Sequence, residues 1–285
     1  MRYIDSMNAY LPNLSETVRQ ALLEDIGAGD ITTQSTVDPS TNAVGYLIAK
    51  AEGVIAGLPV VEAVFAQIDP ELHLRFFVKE GTRVAPKTRL CEVSGRAQSI
   101  LMGERVALNF LQRLSGIATK TARMVSLIEG TRARIVDTRK TTPGLRALEK
   151  YAVRQGGGYN HRFGLFDAVM IKDNHIVAAG GITQAVRRVV SQAPHTITIT
   201  VECDDLEQVE EAVSAGADIL LLDNMSLEEL REAIEIIDGH AIAEASGGVN
   251  EATIRGIAET GVDIISVGAL THSATALDIS LDLTL

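Results

Sequence analysis

The sequence predicts an α/β protein that combines an α/β barrel with a smaller β-rich domain. Beyond residue 130, apolar runs of strand length alternate with amphipathic helical segments, which is typical of parallel strands covered by helices on both sides. Before residue 100 the sequence is punctuated by glycine and rich in β-branched residues, which indicates short strands joined by turns. The chain has 285 residues, a length that suits two domains or one large barrel with an appendage.

The N-terminal part is predicted to contain short strands and one helix. Strands are expected within residues 42–58 and 72–95, and the helix in GLPVVEAVFAQI at residues 57–68. Residues 80–95 resemble the turn of biotinyl and lipoyl carrier domains, but the modified lysine in its hairpin setting is missing. A structural β-rich domain is therefore favoured over a swinging-arm carrier. Apolar residues at steps of three and four then predict a linking helix over residues 103–130.

Six apolar runs form the strands of the predicted barrel, and each is followed by a helical segment. An open doubly wound sheet also fits this alternation. The barrel is favoured because no G-x-G-x-x-G follows the first run, and because phosphate-type loops come at the end of the series. The runs are residues 133–140, 167–174, 196–204, 217–224, 241–248 and 262–269.

Composition excludes several classes of function. The chain has 26 Lys and Arg against 37 Asp and Glu, a net charge of −11, which disfavours binding to nucleic acid or to an anionic membrane. Hydrophobic residues make up 46% and charged residues 22%, which excludes a disordered or fibrous protein. Two cysteines, no secretory leader and no membrane-length apolar stretch make the cytoplasm the expected location.

A cationic block lies between residues 132 and 172. It holds nine Lys and Arg residues and three acids, a net charge of +6, so the remainder of the chain carries −17. Arginine forks bind carboxylates with paired hydrogen bonds, so the block predicts an anionic small-molecule substrate. Three members are assigned to the outer face of a helix: Arg146, Lys150 and Arg154. Four are expected to be functional, at strand ends or in the loop GGGYNHRFG: Arg139, Lys140, Arg162 and Lys172.

Two carboxylates close neighbouring strands of the predicted barrel. Glu202 and Asp223 each end an apolar run, and the carboxyl ends of barrel strands share one mouth. A few oxygen ligands beside solvent suit Mg²⁺ that is held partly through water and shared with substrate phosphates. Capping of the following helices is the structural alternative for both acids. A zinc site is disfavoured, because Cys203 points away from Glu202, and His161 and His175 lack zinc spacing.

Loops that begin with small residues follow the last two predicted strands, at 246–248 and at 268–270. Backbone N–H groups can approach a phosphate closely there, and the loops after the last strands of many barrels bind phosphate. Two tight turns that lead into helices are the structural alternative.

Lys172 raises a separate possibility, because a strand-end lysine can form a Schiff base, but the two metal-type carboxylates would then have no purpose.

The segment DTRKTTPGLRALEKYAVRQGGGYNHRFGLFDAVMIKDNHI, residues 137–176, resembles the quinolinate phosphoribosyltransferase family. The likeness covers nearly the whole chain, and no position of the family's sequence motifs is interrupted in this sequence. It extends through DITTQSTV (30–37), GERVALNFLQRLSGIAT (103–119), VECDDLEQVEEA (201–212), LLLDNM (220–225), EASGGV (244–249) and VGALTHS (267–273).

The resemblance implies an N-terminal α/β sandwich domain packed on an incomplete α/β barrel of about seven strands. The sandwich would cover residues 1–115, with 276–285 returning to it as a strand, and the barrel residues 116–275. The family works as a homodimer with shared active sites, and assembly into hexamers is left open.

The resemblance also implies a reaction and a set of site residues. The phosphoribosyl group of phosphoribosyl pyrophosphate would pass to quinolinate with decarboxylation, giving nicotinate mononucleotide, CO₂ and pyrophosphate for NAD biosynthesis. Lys140, Lys172, Glu202 and Asp223 would be catalytic, the two acids binding the ribose hydroxyls and Mg²⁺, and Arg105 would come from the partner subunit. The implied substrate-binding residues are Arg105, Thr138, Arg139, Lys140, His161, Arg162, Lys172, Glu202, Asp223, Ser246, Gly247, Gly248, Gly268, Ala269 and Leu270.

Two other interpretations stay open. A relative of similar fold, such as the molybdenum-transport-linked proteins, could act on another anionic acceptor, although the unbroken set of substrate-binding cations argues against it. A catalytically silent phosphate-ligand binding or regulatory protein would be expected to lose Glu202 or Asp223, and both are present.

Overall fold

The structure, a computed structural model, describes residue 11 and residues 13–285, and the chain divides into two compact units. The first unit holds the described residues up to 122, together with 142–157 and 274–285. The second unit holds residues 123–141 and 158–273. Each unit is assembled from separate segments of the chain. This division does not test a single boundary between residues 115 and 116, which stays a prediction.

The described residues form the following elements in chain order. The strands are β1 (Asn42–Ala49), β2 (Gly53–Val54), β3 (His73–Phe76), β4 (Arg83–Val84), β5 (Arg89–Arg96), β6 (Arg134–Val136), β7 (Val169–Ile171), β8 (Ile199–Cys203), β9 (Ile219–Asp223), β10 (Ile242–Ser246), β11 (Ile264–Ser266) and β12 (Ile279–Thr284). The helices are α1 (Leu14–Ile26), α2 (Ile31–Thr36), α3 (Leu58–Ile68), α4 (Ala97–Leu127), α5 (Arg146–Gln155), α6 (Asp173–Ala179), α7 (Ile182–Gln192), α8 (Leu206–Ala215), α9 (Leu227–Ile237), α10 (Ile254–Glu259) and α11 (Ala269–His272).

The first unit is built on an antiparallel four-stranded sheet in the order β12-β1-β5-β3. β1 pairs with β5 on one side and with β12 on the other, so the end of the described chain completes the sheet. Alternate residues of β1 are buried, because successive side chains of a strand point to opposite faces. A β-carbon at Gly45 would lie 3.2 Å from Val93 and 3.4 Å from Ile100, so α4 covers the inner face.

Helices pack closely on one another in the first unit. A β-carbon at Gly103 would lie 2.8 Å from the Phe65 ring, and one at Gly156 would lie 2.4 Å from the Ala118 carbonyl oxygen. Glycine at these two positions lets α3 and α5 approach α4.

The sequence interpretation missed α1 and α2. The spacing of the buried residues of α1 is helical, as in Leu14, Val18 and Leu22, so the signal was present.

The charged helix α5 is buried on a face that was predicted to be exposed. Lys150 is 4% exposed and Glu149 is fully buried, so the assignment of Lys150 to an outer face is wrong. Glu149 accepts hydrogen bonds from the Arg113 guanidinium at 2.8 Å and from the Thr142 hydroxyl at 2.8 Å. Close packing of α5 against α4 turns this face inward, and an ion pair with Arg113 compensates the buried carboxylate.

The second unit is built on a six-stranded parallel sheet in the order β6-β11-β10-β9-β8-β7. Each of the six predicted runs contains one of these strands. The strands β7 to β11 lie side by side in chain order, and β6 lies beside β11, whereas a doubly wound sheet reverses its order at a switch point. An isolated parallel bridge joins Val136 to Tyr159 beyond β6. The predicted α/β fold with an incomplete barrel is therefore confirmed, and the sheet of the described residues has six strands where about seven were expected.

Helix caps define where the second unit passes from strand to helix. Asp205 accepts a hydrogen bond from the Gln208 N–H at 2.9 Å and begins α8. Ser226 and Glu229 form a reciprocal capping box that begins α9. Both caps lie beyond the strand ends, so they leave Glu202 and Asp223 available for other contacts.

No helix in residues 13–285 is long and apolar enough to span a membrane, and the expected cytoplasmic location stays a prediction.

Candidate active site

A cavity of about 550 Å³ opens in the second unit at the carboxyl ends of the parallel strands. Nine of the predicted site residues line it: Thr138, Arg139, Lys140, His161, Arg162, Lys172, Glu202, Asp223 and Ser246. These residues come from five strand ends and from the loop after Tyr159, as expected for a barrel mouth. The structure therefore brings the predicted cations and acids into one space.

Four cations border this cavity and are held in different ways. The Arg162 guanidinium donates to the Ala168 carbonyl oxygen at 3.1 Å, and its pKa is lowered by burial and by the nearby charge of Arg139. The Lys140 carbonyl oxygen accepts from the Thr271 hydroxyl at 2.8 Å, which anchors its backbone. An anion that binds here would lower the electrostatic repulsion between these neighbouring cations, so the site favours anionic ligands.

Two carboxylates face the same cavity from adjacent strands. The Lys172 ammonium forms an ion pair with Glu202, and Asp223 accepts a hydrogen bond from the Asn224 amide at 2.7 Å. Glu202 engages the Lys172 amine that a Schiff base would need, so the Schiff-base interpretation gains no support from the structure. Helix capping is also the wrong interpretation of these two acids, because Asp205 and Ser226 cap the following helices.

His161 lies close to two buried carboxylates, Asp137 just after β6 and Glu244 within β10. Asp137 is fully buried and accepts from the His161 backbone N–H at 2.8 Å and from the Asn160 amide at 2.6 Å. Glu244 is 1% exposed, and its Oε1 lies 3.3 Å from His161 Nε2. The imidazole Nδ1 accepts from the Arg162 backbone N–H at 2.6 Å. Asp137 therefore lies beneath this segment and anchors its backbone.

The two predicted phosphate loops differ in their geometry. In the first, Gly247 and Gly248 have φ angles of +90° and +59°, and a β-carbon at Gly247 would lie 2.1 Å from Asn224 Oδ1. This turn requires glycine and packs tightly against the residue that follows Asp223. In the second, a β-carbon at Gly268 would lie 3.0 Å from Lys140 Cδ, and the N–H of buried Leu270 donates to the Val267 carbonyl oxygen.

The remaining predicted residues lie outside the cavity lining. Arg105 is exposed on α4 in the part of that helix that belongs to the first unit. Gly247, Gly248, Gly268, Ala269 and Leu270 lie in the two loops, and their roles stay predictions.

Several lining residues were not predicted from the sequence. Met170 and Leu221 each stand two residues before a predicted strand-end residue, and a strand period of two places such pairs on the same face. That signal could have found them. Leu165 lies in an irregular loop, and nothing in the sequence pattern indicated its position. Ser266 and His175 complete the set.

The cysteines and metal-binding side chains add little to the site. Cys91 and Cys203 are free and buried, and burial raises the pKa of each thiol to about 12, which makes them inert at neutral pH. Within the described part of the chain, no three His, Cys, Asp or Glu side chains converge on a metal-binding group. Glu202 and Asp223 could hold a cation only with help from water or substrate oxygens.

Comparison with known proteins places this chain among related sequences and structures. Residues 30–115 match the quinolinate phosphoribosyl transferase N-terminal domain, and residues 117–282 match the C-terminal domain of the same name. A probable nicotinate-nucleotide pyrophosphorylase [carboxylating] of Bacillus subtilis is 44% identical over 95% of this chain and 94% of its own length. A quinolinate phosphoribosyltransferase [decarboxylating] of Nicotiana tabacum is 43% identical, over 94% of this chain and 82% of its own length. The crystal structure of NadC from Streptococcus pyogenes superposes with a TM-score of 0.93 at 44% identity and covers 96% of this chain and 97% of that one.

Proposed function

Because this chain belongs to the quinolinate phosphoribosyltransferase family, we propose that its cavity transfers the phosphoribosyl group of phosphoribosyl pyrophosphate to quinolinate. The products are nicotinate mononucleotide, CO₂ and pyrophosphate. One observation carries the proposal: four cations and the strand-end acids Glu202 and Asp223, together with the buried Glu244, line one cavity at the barrel mouth. Two small anionic substrates require such a mixture, because their mutual repulsion must be screened while the sugar carbon becomes positive.

The quinolinate subsite is assigned to the cationic side of the cavity. Arg139, Arg162 and Lys172 would hold the two carboxylates, with His161 in the same wall. Arginine forks suit planar carboxylates. The pKa of Arg162, lowered by burial and by Arg139, supports this assignment, because a dianion would relieve the crowding of positive charge.

The phosphoribosyl pyrophosphate subsite is assigned to the acidic side and to the two loops. Glu202 and Asp223 would bind the ribose hydroxyls, Lys140 and Lys172 the pyrophosphate, and residues 246–248 and 268–270 the 5′-phosphate. The same acids fit Mg²⁺, which accepts one or two carboxylates and completes its shell with water and phosphate oxygens. Bound there, the ion would neutralise charge on the leaving pyrophosphate.

The chemistry needs no covalent nucleophile from the protein. As pyrophosphate leaves C1 of the ribose, Lys140 and Lys172 screen its growing negative charge, and Glu202 and Asp223 favour the positive charge on the sugar. The pyridine nitrogen of quinolinate, held in line by the arginines, attacks C1. The ring nitrogen is then quaternary, and the adjacent carboxylate is lost as CO₂. The electron pair of the broken bond stays on ring carbon C2 beside the positive nitrogen, and C2 takes up a proton from water to give nicotinate mononucleotide.

The same proposal includes a homodimer in which Arg105 of one subunit completes the quinolinate subsite of the other. The exposure of Arg105 on α4 supports this role, because an unburied arginine is available to a partner.

A direct assay tests the proposed reaction. Purified protein is mixed with quinolinate, phosphoribosyl pyrophosphate and Mg²⁺, and CO₂ release and nicotinate mononucleotide formation are followed. Equal amounts of both products are expected. Nicotinate in place of quinolinate should give little product, because one carboxylate leaves part of the cationic wall without a partner. Product from another anionic acceptor, or ligand binding without turnover, would support one of the two alternative interpretations instead.

A further inference from the structure

The buried carboxylate of Glu244 has no part in the chemistry proposed above. Glu244 lies in β10 and lines the substrate cavity, yet its side chain is only 1% exposed. Among the described residues, no group donates a hydrogen bond to its Oε1. A carboxylate removed from water in this way needs a partner that carries or shares a proton. The imidazole of His161, with Nε2 at 3.3 Å, is in position to be that partner.

The hydrogen bonding of His161 determines which ring nitrogen carries the proton. Nδ1 accepts from the Arg162 backbone N–H at 2.6 Å, so it must present a lone pair. The proton of a neutral imidazole then belongs to Nε2, which faces Glu244. A carboxylate beside Nε2 favours this tautomer, as a group that accepts from one ring nitrogen sets the state of the other.

A second cavity lies on the other side of this pair. It has a volume of about 290 Å³, and its lining includes the exposed Thr198, just before β8, and the buried Thr200 within β8. His161, Arg162 and Glu244 line both cavities, so they form the wall between them. A side chain with open space on two sides is not held by packing alone, which makes the polar contacts of His161 decisive for its orientation.

We propose that Glu244 is a positioning residue for the quinolinate subsite and acts on Arg162 through His161. By facing Nε2–H, Glu244 keeps Nδ1 as the acceptor for the Arg162 backbone N–H, which fixes the start of the loop that carries the Arg162 guanidinium. Without this carboxylate the other tautomer becomes accessible, and it would set two N–H groups against each other. The inference rests on the proposed function for the identity of the ligand.

A pair of variants separates this role from a general structural one. Glu244→Gln keeps the side-chain shape and removes the negative charge. His161→Asn keeps an oxygen that can accept from the Arg162 N–H and removes the group that reaches Glu244. We expect Glu244→Gln to raise the KM for quinolinate about tenfold, with kcat and the KM for phosphoribosyl pyrophosphate within about twofold of wild type. In the His161→Asn background, the same change should add less than about twofold.

Thr200→Val is the matched control, because Thr200 lines the second cavity but not the substrate cavity, and it should leave the quinolinate KM unchanged. The ¹⁵N shifts of the histidine rings give a readout that needs no turnover. They should show Nε2–H in His161 of the unliganded wild type and a changed ring in Glu244→Gln.

Four results would overturn the proposal: an unchanged quinolinate KM in Glu244→Gln, an equal rise in the KM for both substrates, an equal effect in the His161→Asn background, or unchanged ring shifts. Absence of CO₂ release by the wild type would instead contradict the proposed function, and the ring shifts would still decide the tautomer.

Discussion

The arginines of the substrate cavity carry the most direct prediction at the scale of single residues. Arg139→Ala and Arg162→Ala should each raise the quinolinate KM or reduce turnover by at least about tenfold, because a lost charged hydrogen bond costs about 1.5 to 3 kcal/mol. Steady-state kinetics and circular dichroism would check activity and fold together. Arg187→Ala, at an exposed position of α7, is the matched control. Near-normal quinolinate kinetics in both cavity variants would contradict the assignment.

Asp137 carries a second prediction, which concerns the stability of the fold. Its carboxylate is fully buried and accepts from the His161 backbone N–H and the Asn160 amide. Asp137→Asn would set an N–H donor against one of these donors, which should cost about 1 to 3 kcal/mol of unfolding free energy. Urea unfolding measures the loss, and Asp204→Asn at an exposed position serves as the control. Equal unfolding midpoints for Asp137→Asn and the wild type would contradict the prediction.

Much of the candidate site was predictable residue by residue, because polar groups that end apolar runs must converge at a barrel mouth. Lys172, Glu202 and Asp223 were found in this way. The buried role of Asp137 was not, since an acid after a strand looks the same in sequence whether it faces solvent or anchors a loop. His161 and Glu244 meet across distant parts of the chain, and no local pattern records such a contact.

At the scale of elements, an ion pair between the buried carboxylate of Asp69 and the half-exposed Arg96 joins the end of α3 to β5 and gives a pH-dependent prediction. Asp69, 2% exposed at the end of α3, accepts from Arg96 at 2.8 Å and from Ser99 at 2.8 Å. The Arg96 guanidinium holds the pKa of Asp69 well below its ordinary value. Because the folded state lowers this pKa, the stabilisation is complete at neutral pH and is lost as the pH falls below about 4.

Asp69→Asn should therefore lower the unfolding free energy at pH 7 by about 1 to 3 kcal/mol. Urea unfolding of wild type and variant between pH 7 and pH 3 would measure the difference at each pH. The gap should narrow towards acid, because the Asp69 carboxyl of the unfolded chain takes up a proton near its ordinary pKa while the folded state keeps this carboxyl ionised, so protons favour unfolding of the wild type. A gap that stays constant with pH would show that the charge of Asp69 does not supply the stabilisation.

Elements were predictable where their periodicity was strong and unpredictable where burial depended on a distant partner. The six parallel strands follow from apolar runs with helices between them. The helix α5 was recognised, but its buried face was not, because Glu149 and Lys150 look like surface residues until Arg113 is placed beside them. Propensity gives the type of an element, and tertiary contacts decide which of its faces is inside.

At the scale of the whole molecule, the proposed exchange of Arg105 between subunits predicts complementation. Arg105→Ala and Arg139→Ala should each be nearly inactive alone. After unfolding together in equal amounts and refolding, about one quarter of the sites should be intact, because half of the randomly formed dimers carry one complete site.

Turnover assays of the mixture and of each refolded variant test this expectation. Mixing Arg139→Ala with Arg162→Ala is the matched control, since both defects lie in the same subunit's part of the site and should not complement. No recovery from the Arg105→Ala mixture would contradict an active site shared in this way.

The pairing of β12 with β1 has a consequence for synthesis of the chain on the ribosome. β1 emerges early, but its partner β12 is made only after the whole of the second unit. Until then the unpaired side of β1 offers free N–H and carbonyl groups to any other extended segment, including those of neighbouring nascent chains. The first unit is thus the first to be started and the last to be finished, and chains cut short before residue 279 should aggregate through this open edge.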